Sequence, residues 1–195
     1  MELLIPTLLK YVRTILVHVP WEHCVMMGVG TLALTGILLM RKKGTVYGAI
    51  ALGLTVFVGL FLLDTAVVIR CLGIMPHTSG YDLTLDFARV SRKSGYGAAE
   101  TLSNIVIFVP LGFFLSEYLT STKRISAWHR IGLATLLGFG LSLCIECLQL
   151  ILHVGYFELM DLVMNTLGAF VGAGISVGGR IVGIDKSTLA IETEN

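Results

Sequence analysis

Five apolar stretches dominate this chain of 195 residues: Glu22 to Met40, Val46 to Ile69, Leu102 to Leu119, Ile131 to Leu152 and Leu159 to Val182. Each comes close to the roughly 20 residues that an α-helix needs to cross the hydrocarbon of a bilayer. Hydrocarbon offers no partner for backbone N–H and C=O groups, so a spanning segment has to satisfy them within itself, as a helix does. Composition agrees, since 14% of the residues are charged where a soluble domain would have roughly 25%. The mean hydropathy is +0.84. The 22 Gly also suit membrane helices, which use small residues to approach one another closely. The expected fold is therefore all-α, a polytopic membrane helix bundle of about five transmembrane helices.

The first 20 residues behave differently from these spans. Leu4, Leu8, Val12, Ile15, Leu16 and Val19 recur at helical spacing, while Thr7, Lys10, Arg13, Thr14 and His18 take the other face. That pattern predicts an N-terminal interfacial amphipathic helix lying on the membrane. A sixth span would carry Lys10 and Arg13 towards the bilayer centre. No charged leader precedes a clean apolar run and a small-residue cleavage site, so a signal peptide is not expected.

The resulting plan is an interfacial helix over 1–20, two transmembrane helices over 21–70 and an extracytoplasmic segment over 71–101. A three-helix core over 102–182 and a cytoplasmic tail over 183–195 complete it. Arg41, Lys42 and Lys43 lie between the first two spans, and Lys123, Arg124 and Arg130 between the third and fourth. Basic short loops stay on the cytoplasmic side, which predicts an outside N-terminus and a cytoplasmic C-terminus. The net charge of +1 and the lack of any basic tract interleaved with aromatics give no reason to expect a nucleic-acid partner. Cys144 and Cys147 form a C-x-x-C inside a span, away from the βαβ context of redox enzymes, and read as small packing residues.

Polar residues inside the spans are the informative exceptions. Asp64 lies near the end of the second span and Asn104 near the start of the third. Glu146, Gln149 and His153 close the fourth, and Glu158, Asp161 and Asn165 open the fifth. At 1.5 Å per residue, all fall within roughly 10 Å of the same membrane boundary. The i, i+3, i+7 spacing of each trio places it on one helical stripe, and a short hairpin around Gly155 turns the two stripes towards each other. A carboxylate facing lipid costs about 2.5 to 3.5 kcal/mol on insertion scales, so these groups are expected to line an interior cleft open to the outer face.

Asp64, Asn104, Glu146, Gln149, Glu158, Asp161 and Asn165 are accordingly the candidate substrate-binding residues. Glu146 and Asp161 are the candidate catalytic pair, one as general acid and the other ionised. For the amides the competing role is interhelical glue, worth about 0.6 kcal/mol each. Glu117, beside Lys123 and Arg124, reads as a snorkelling residue at the inner interface. His18, His23, His77 and His129 have no metal-ligand spacing and read as surface or interfacial histidines. No cofactor or metal is expected, although Glu146, Glu158 and Asp161 are an oxygen set that a divalent cation can use. Two small-xxx-small pairs, Gly168 with Gly172 and Gly174 with Gly178, predict a helix lying close against the fifth span. Pro110 removes a backbone donor from the third span and predicts a kink there.

These residues resemble the VanZ-like membrane proteins, a family named for a protein associated with teicoplanin resistance in Gram-positive bacteria. "NIVIFVPLGFFL" is similar to the family's N-x-x-x-F-x-P-x-G segment, through Asn104, Phe108, Pro110 and Gly112. "IECLQL" resembles its E-x-x-Q, through Glu146 and Gln149. "ELMDLVMNTLGAFVG" matches its acidic ending through Glu158, Asp161, Asn165, Gly168 and Gly172. Glu158 stands where the family commonly has Asp, and Gly155 where many members have Arg. Arg89, Arg92 and Lys93 are then the candidates for a cation near the cleft.

The resemblance implies a bacterial cell-membrane protein linked to lowered glycopeptide sensitivity, and supplies no mechanism. The leading expectation is a factor that binds a membrane lipid or lipid-linked cell-wall precursor at the outer leaflet. An intramembrane hydrolase or transferase using the Glu/Asp pair is one alternative. A small proton-coupled transporter or flippase is another, although Glu117 is the only acid in the inner half and no inverted repeat is visible.

Overall fold

The structure, a computed structural model, describes residues 4–40, 45–74, 78–85, 95–122 and 125–193. Its elements are helices α1 (Leu4–His18), α2 (Trp21–Met40), α3 (Val46–Leu63), α4 (Gly95–Thr122), α5 (Ala127–Ile151) and α6 (Leu159–Thr193). Helix α3 continues through a π-helical turn, Asp64–Val68, into a last α-turn, Ile69–Cys71. Among the described residues, five segments are long and apolar enough to cross a membrane: Trp21–Met40, Val46–Cys71, Thr101–Ser121, Ala127–Ile151 and Leu159–Arg180. The chain is an all-α, multi-pass membrane protein. Arg41, Lys42, Lys43, His77, Arg89, Arg92, Lys93, Lys123 and Arg124 lie outside the described residues.

Hydroxyl residues scattered through the apolar helices are satisfied locally. Thr31, Thr35, Thr55 and Thr65 each donate to a carbonyl four residues back, which hides the hydroxyl in its own helix. The helix ends are marked just as locally. Thr45 caps α3 by accepting the Gly48 N–H at 3.0 Å, and Ser126 caps α5. Helices α3 and α5 both end in Schellman motifs. In the first, Ile74 N–H reaches Ile69 O and Gly73 takes φ of 70°. In the second, Val154 N–H reaches Gln149 O and His153 takes φ of 58°.

Helices α4 and α6 cross at the centre of the bundle, with α5 against α6, α3 against α4, and α2 outermost against α3. The crossing is close because three glycines leave backbone against backbone. A Cβ at Gly112 would lie 2.0 Å from Ala169 O, one at Gly168 2.3 Å from Ile105 O, and one at Gly172 2.0 Å from Val109 O. Gly174 and Gly178 face open space, so only the first of the two predicted glycine pairs packs. Around this crossing Phe108, Leu111, Leu115, Ala134, Ala173 and Val177 form a continuous buried core. Helix α4 runs unbroken through Pro110.

Helix α1 packs along α4, with Val19 buried beyond its end and Ile5, Leu9 and Val17 on the outside. The helix of the fifth span does not stop at the predicted tail but continues to Thr193. The segment between the second and third spans contains strand β1, Gly80–Asp82, which pairs in parallel with β2, Tyr156–Glu158. The register is Gly80 with Tyr156, Tyr81 with Phe157 and Asp82 with Glu158. This ladder ties the 78–85 segment to the connection between α5 and α6.

Candidate functional site

The alternation of up and down helices brings the end of α3, the start of α4, the end of α5 and the start of α6 to one end of the bundle. A cavity of about 120 Å³ opens between them. Its polar lining is Thr65, Arg70, Asn104, Glu146, Gln149, Asp161 and Asn165, and its apolar walls include Phe61, Ile107, Phe108 and Ile145. Five of the seven candidate binding residues thus share one cavity. The other two, Asp64 and Glu158, are placed nearby in different roles.

Glu146 is buried and accepts the backbone N–H of Glu158 at 3.0 Å. One carboxylate oxygen therefore holds the chain at the point where β2 passes into α6, the end of a helix that attracts negative charge. Glu158 belongs to β2 and not to the helix, so the three-residue stripe expected on the fifth span reduces to Asp161 and Asn165. His153 leaves the fourth-span stripe for a similar reason. It occupies the left-handed position of the Schellman motif, outside α5, and is exposed.

Gln149 donates to Ala66 O at 3.1 Å. Ala66 lies inside the π-helical turn, whose wider winding displaces carbonyls from the regular α ladder. The turn also positions Asp64, which is buried and pairs with His23 Nδ1 of α2 at 2.8 Å through Oδ1. His23 is thus a partner of the second span and not a free interfacial histidine. Asn165 donates to Ser142 Oγ at 2.9 Å.

Among the described residues, four buried polar atoms around this end have no hydrogen-bond partner: Arg70 Nε, Asn104 Nδ2, Asn165 Oδ1 and Asp64 Oδ2. The first three belong to residues that line the cavity. Leaving such an atom buried and unpaired costs about 1 to 3 kcal/mol each.

Arg70 is the cavity residue that the sequence reading missed. Its Nη1 donates to Val154 O at 3.5 Å, and a Cβ placed on Gly155 would lie 2.8 Å from that nitrogen. The guanidinium occupies the space a side chain at position 155 would need. A signal existed in the sequence, because Arg70 is six residues past Asp64, at the same depth as the other polar groups.

At the opposite end of the bundle, Glu117 overturns its expected role as a snorkelling surface residue. It is 5% exposed. Its Oε1 accepts Ser176 Oγ at 2.6 Å and Arg180 Nε at 3.3 Å, and its Oε2 accepts Tyr47 O–H and Arg180 Nη2. Arg180 Nη2 also donates to the phenol oxygen of Tyr47 at 3.1 Å, and Ser176 Oγ lies 2.9 Å from Ser116 Oγ. Among the described residues, no group of three or more His, Cys, Asp or Glu side chains has metal-site geometry. Cys24, Cys71, Cys144 and Cys147 are free, and Cys71 and Cys144 face outwards.

Fold and site together define a class: a multi-pass helical membrane protein whose bundle encloses a small polar cavity at one end and is cross-linked by a buried ion-pair network at the other. The VanZ/LLP1 family profile matches residues 12–182, and the chain belongs to that family. Comparison with curated proteins and with solved structures gave no match.

Proposed function

We propose that this protein binds a membrane lipid or lipid-linked cell-wall precursor by its headgroup, in the outer leaflet of a bacterial cell membrane. The observation that carries this reading is the set of unpaired buried atoms of Arg70, Asn104 and Asn165 around one cavity. Interhelical glue would have these atoms bonded to one another, and in hydrocarbon the cost of leaving them open is at its highest. A ligand with its own acceptors and donors offsets that cost. The basic residues of the two short loops support placing the cavity end outside, with the C-terminus cytoplasmic.

Binding is favoured over transport because the Tyr47, Glu117, Ser176 and Arg180 network ties α3, α4 and α6 together at the other end. Binding is favoured over hydrolysis because Glu146 already uses a carboxylate oxygen to hold the Glu158 N–H. Occupying a precursor or lipid at headgroup depth would alter how a lipoglycopeptide meets its target, in keeping with the family's association with teicoplanin.

The test is expression in a susceptible Gram-positive host. Asp161→Asn and Asn104→Leu should return teicoplanin tolerance to the vector level while the protein still accumulates in the membrane. Full tolerance in both variants would overturn the reading.

A further inference from the structure

Within the reading just given, the cavity restricts which headgroup it can take. Its open donors are Arg70 Nε and Asn104 Nδ2, and its open acceptor is Asn165 Oδ1 on a side chain 5% exposed. The carboxylates of Glu146 and Asp161 line the same space. A guanidinium N–H and an amide N–H are suited to anionic oxygen, and charge-assisted bonds of this kind are the strong ones. A purely anionic ligand would set its charge beside the buried Glu146 carboxylate. A purely cationic ligand would leave Arg70 and Asn104 unmatched.

Size narrows the choice further. One water needs about 10 to 15 Å³ of such volume, so the cavity of about 120 Å³ takes on the order of ten water-sized groups. A phosphate joined through two carbons to an amine fits that count.

We infer that the cavity is a site for a zwitterionic phosphoester headgroup, a phosphate with a primary ammonium two carbons away. The phosphate oxygens take the Arg70 and Asn104 donors, and the ammonium is held by Asn165 Oδ1 on the acidic side beside Asp161. Gly155 belongs to the device, because any side chain there would displace the guanidinium. The inference rests on the binding function proposed above.

The experiment uses the delipidated full-length protein in detergent. Native mass spectrometry measures retention of phosphatidylethanolamine, phosphatidylglycerol and an undecaprenyl-linked pyrophosphate at equal concentration. Phosphatidylethanolamine should be retained over phosphatidylglycerol by about tenfold or more, the size of one charge-assisted hydrogen bond. Arg70→Gln and Asn104→Leu should each lower retention of both phospholipids, and Asn165→Leu, which removes the acceptor for the ammonium, should remove the preference between them. Asn104→Leu deletes an unpaired donor at similar volume, so the test does not depend on the arginine variant folding.

Free phosphoethanolamine should displace the lipid where inorganic phosphate does not, which assigns recognition to the whole zwitterion. Equal retention of the two phospholipids, displacement by phosphate alone, or unchanged retention in both the Arg70 and Asn104 variants would overturn the inference. Preference for the pyrophosphate lipid would overturn it while leaving the proposed function intact. Retention of no lipid above background would overturn both.

Discussion

The two ends of this bundle treat buried polar groups in opposite ways. Around Glu117, both carboxylate oxygens are bonded twice, by Ser176, Tyr47 and two nitrogens of Arg180, and the guanidinium also lies 5.5 Å from the centre of the Tyr47 ring. Around the cavity, Arg70, Asn104 and Asn165 each keep one buried atom without a partner among the described residues. The same residue types, set in helices of similar hydropathy, form a cross-link in one place and an open site in the other. The difference lies in geometry. At the Glu117 end three helices converge on one carboxylate, whereas at the other end a cavity opens between the helices beside the π-helical turn. A satisfied polar cluster rigidifies a bundle, while an unsatisfied one persists where something else completes it.

The first way to break this contrast is to disrupt the crossing that separates its two halves. Gly172→Ala places a methyl 2.0 Å from Val109 O. Backbone cannot yield as a side-chain tip can, so the loss should be about 3 kcal/mol or more. Thermal unfolding in detergent should show a midpoint lowered by about 6 °C or more. Lipid retention should fall with it, because α6 carries residues of both regions.

Next in size is Arg180→Ala, which orphans the buried Glu117 carboxylate. Orphaning a fully buried charge costs about 3 to 5 kcal/mol. Arg180 is 37% exposed, so a value of about 2 kcal/mol is expected after screening by solvent. Replacing Glu117 and Arg180 together by Leu should recover most of that loss. Neither change should alter lipid retention, which would show that the two ends are energetically separate.

Asn104→Leu should do the reverse. Removing an unpaired buried donor should leave stability unchanged or raise it by about 1 kcal/mol, while lipid retention is lost. A clear fall in the unfolding midpoint would mean that Asn104 is structural glue, and the contrast between the two ends would dissolve. The smallest effect is expected for His153→Gly. It relieves a non-glycine residue of φ 58° and should raise stability by about 1 kcal/mol, with retention unchanged. That result would separate His153 from the site it seemed to join by spacing.

Much of this architecture is legible in the chain. The limits of the apolar stretches agree with the helices to within a few residues at most ends, and the depth of Asn104, Glu146, Gln149, Asp161 and Asn165 follows from counting residues along each span. Helical periodicity failed where the backbone stopped being α-helical. His153 entered a Schellman motif and Glu158 entered a strand, so neither could stand on the stripe that its spacing suggested. Glu117 was misread because its partners lie far along the chain, at Tyr47, Ser176 and Arg180.

What the sequence determines by itself is local. In hydrocarbon each span must satisfy its own backbone, so hydropathy and length alone define the helices, and arithmetic along them defines which polar groups share a depth. The order and nature of the family's motif residues can also be read directly from the chain. Tertiary structure decided which of those groups meet a partner and which face a cavity. Partnership between side chains depends on the rotation and separation of helices distant in sequence, and here on the glycine crossing and the π-helical turn. Arg70 became a cavity residue, and Glu117 a buried one, only when those helices came together.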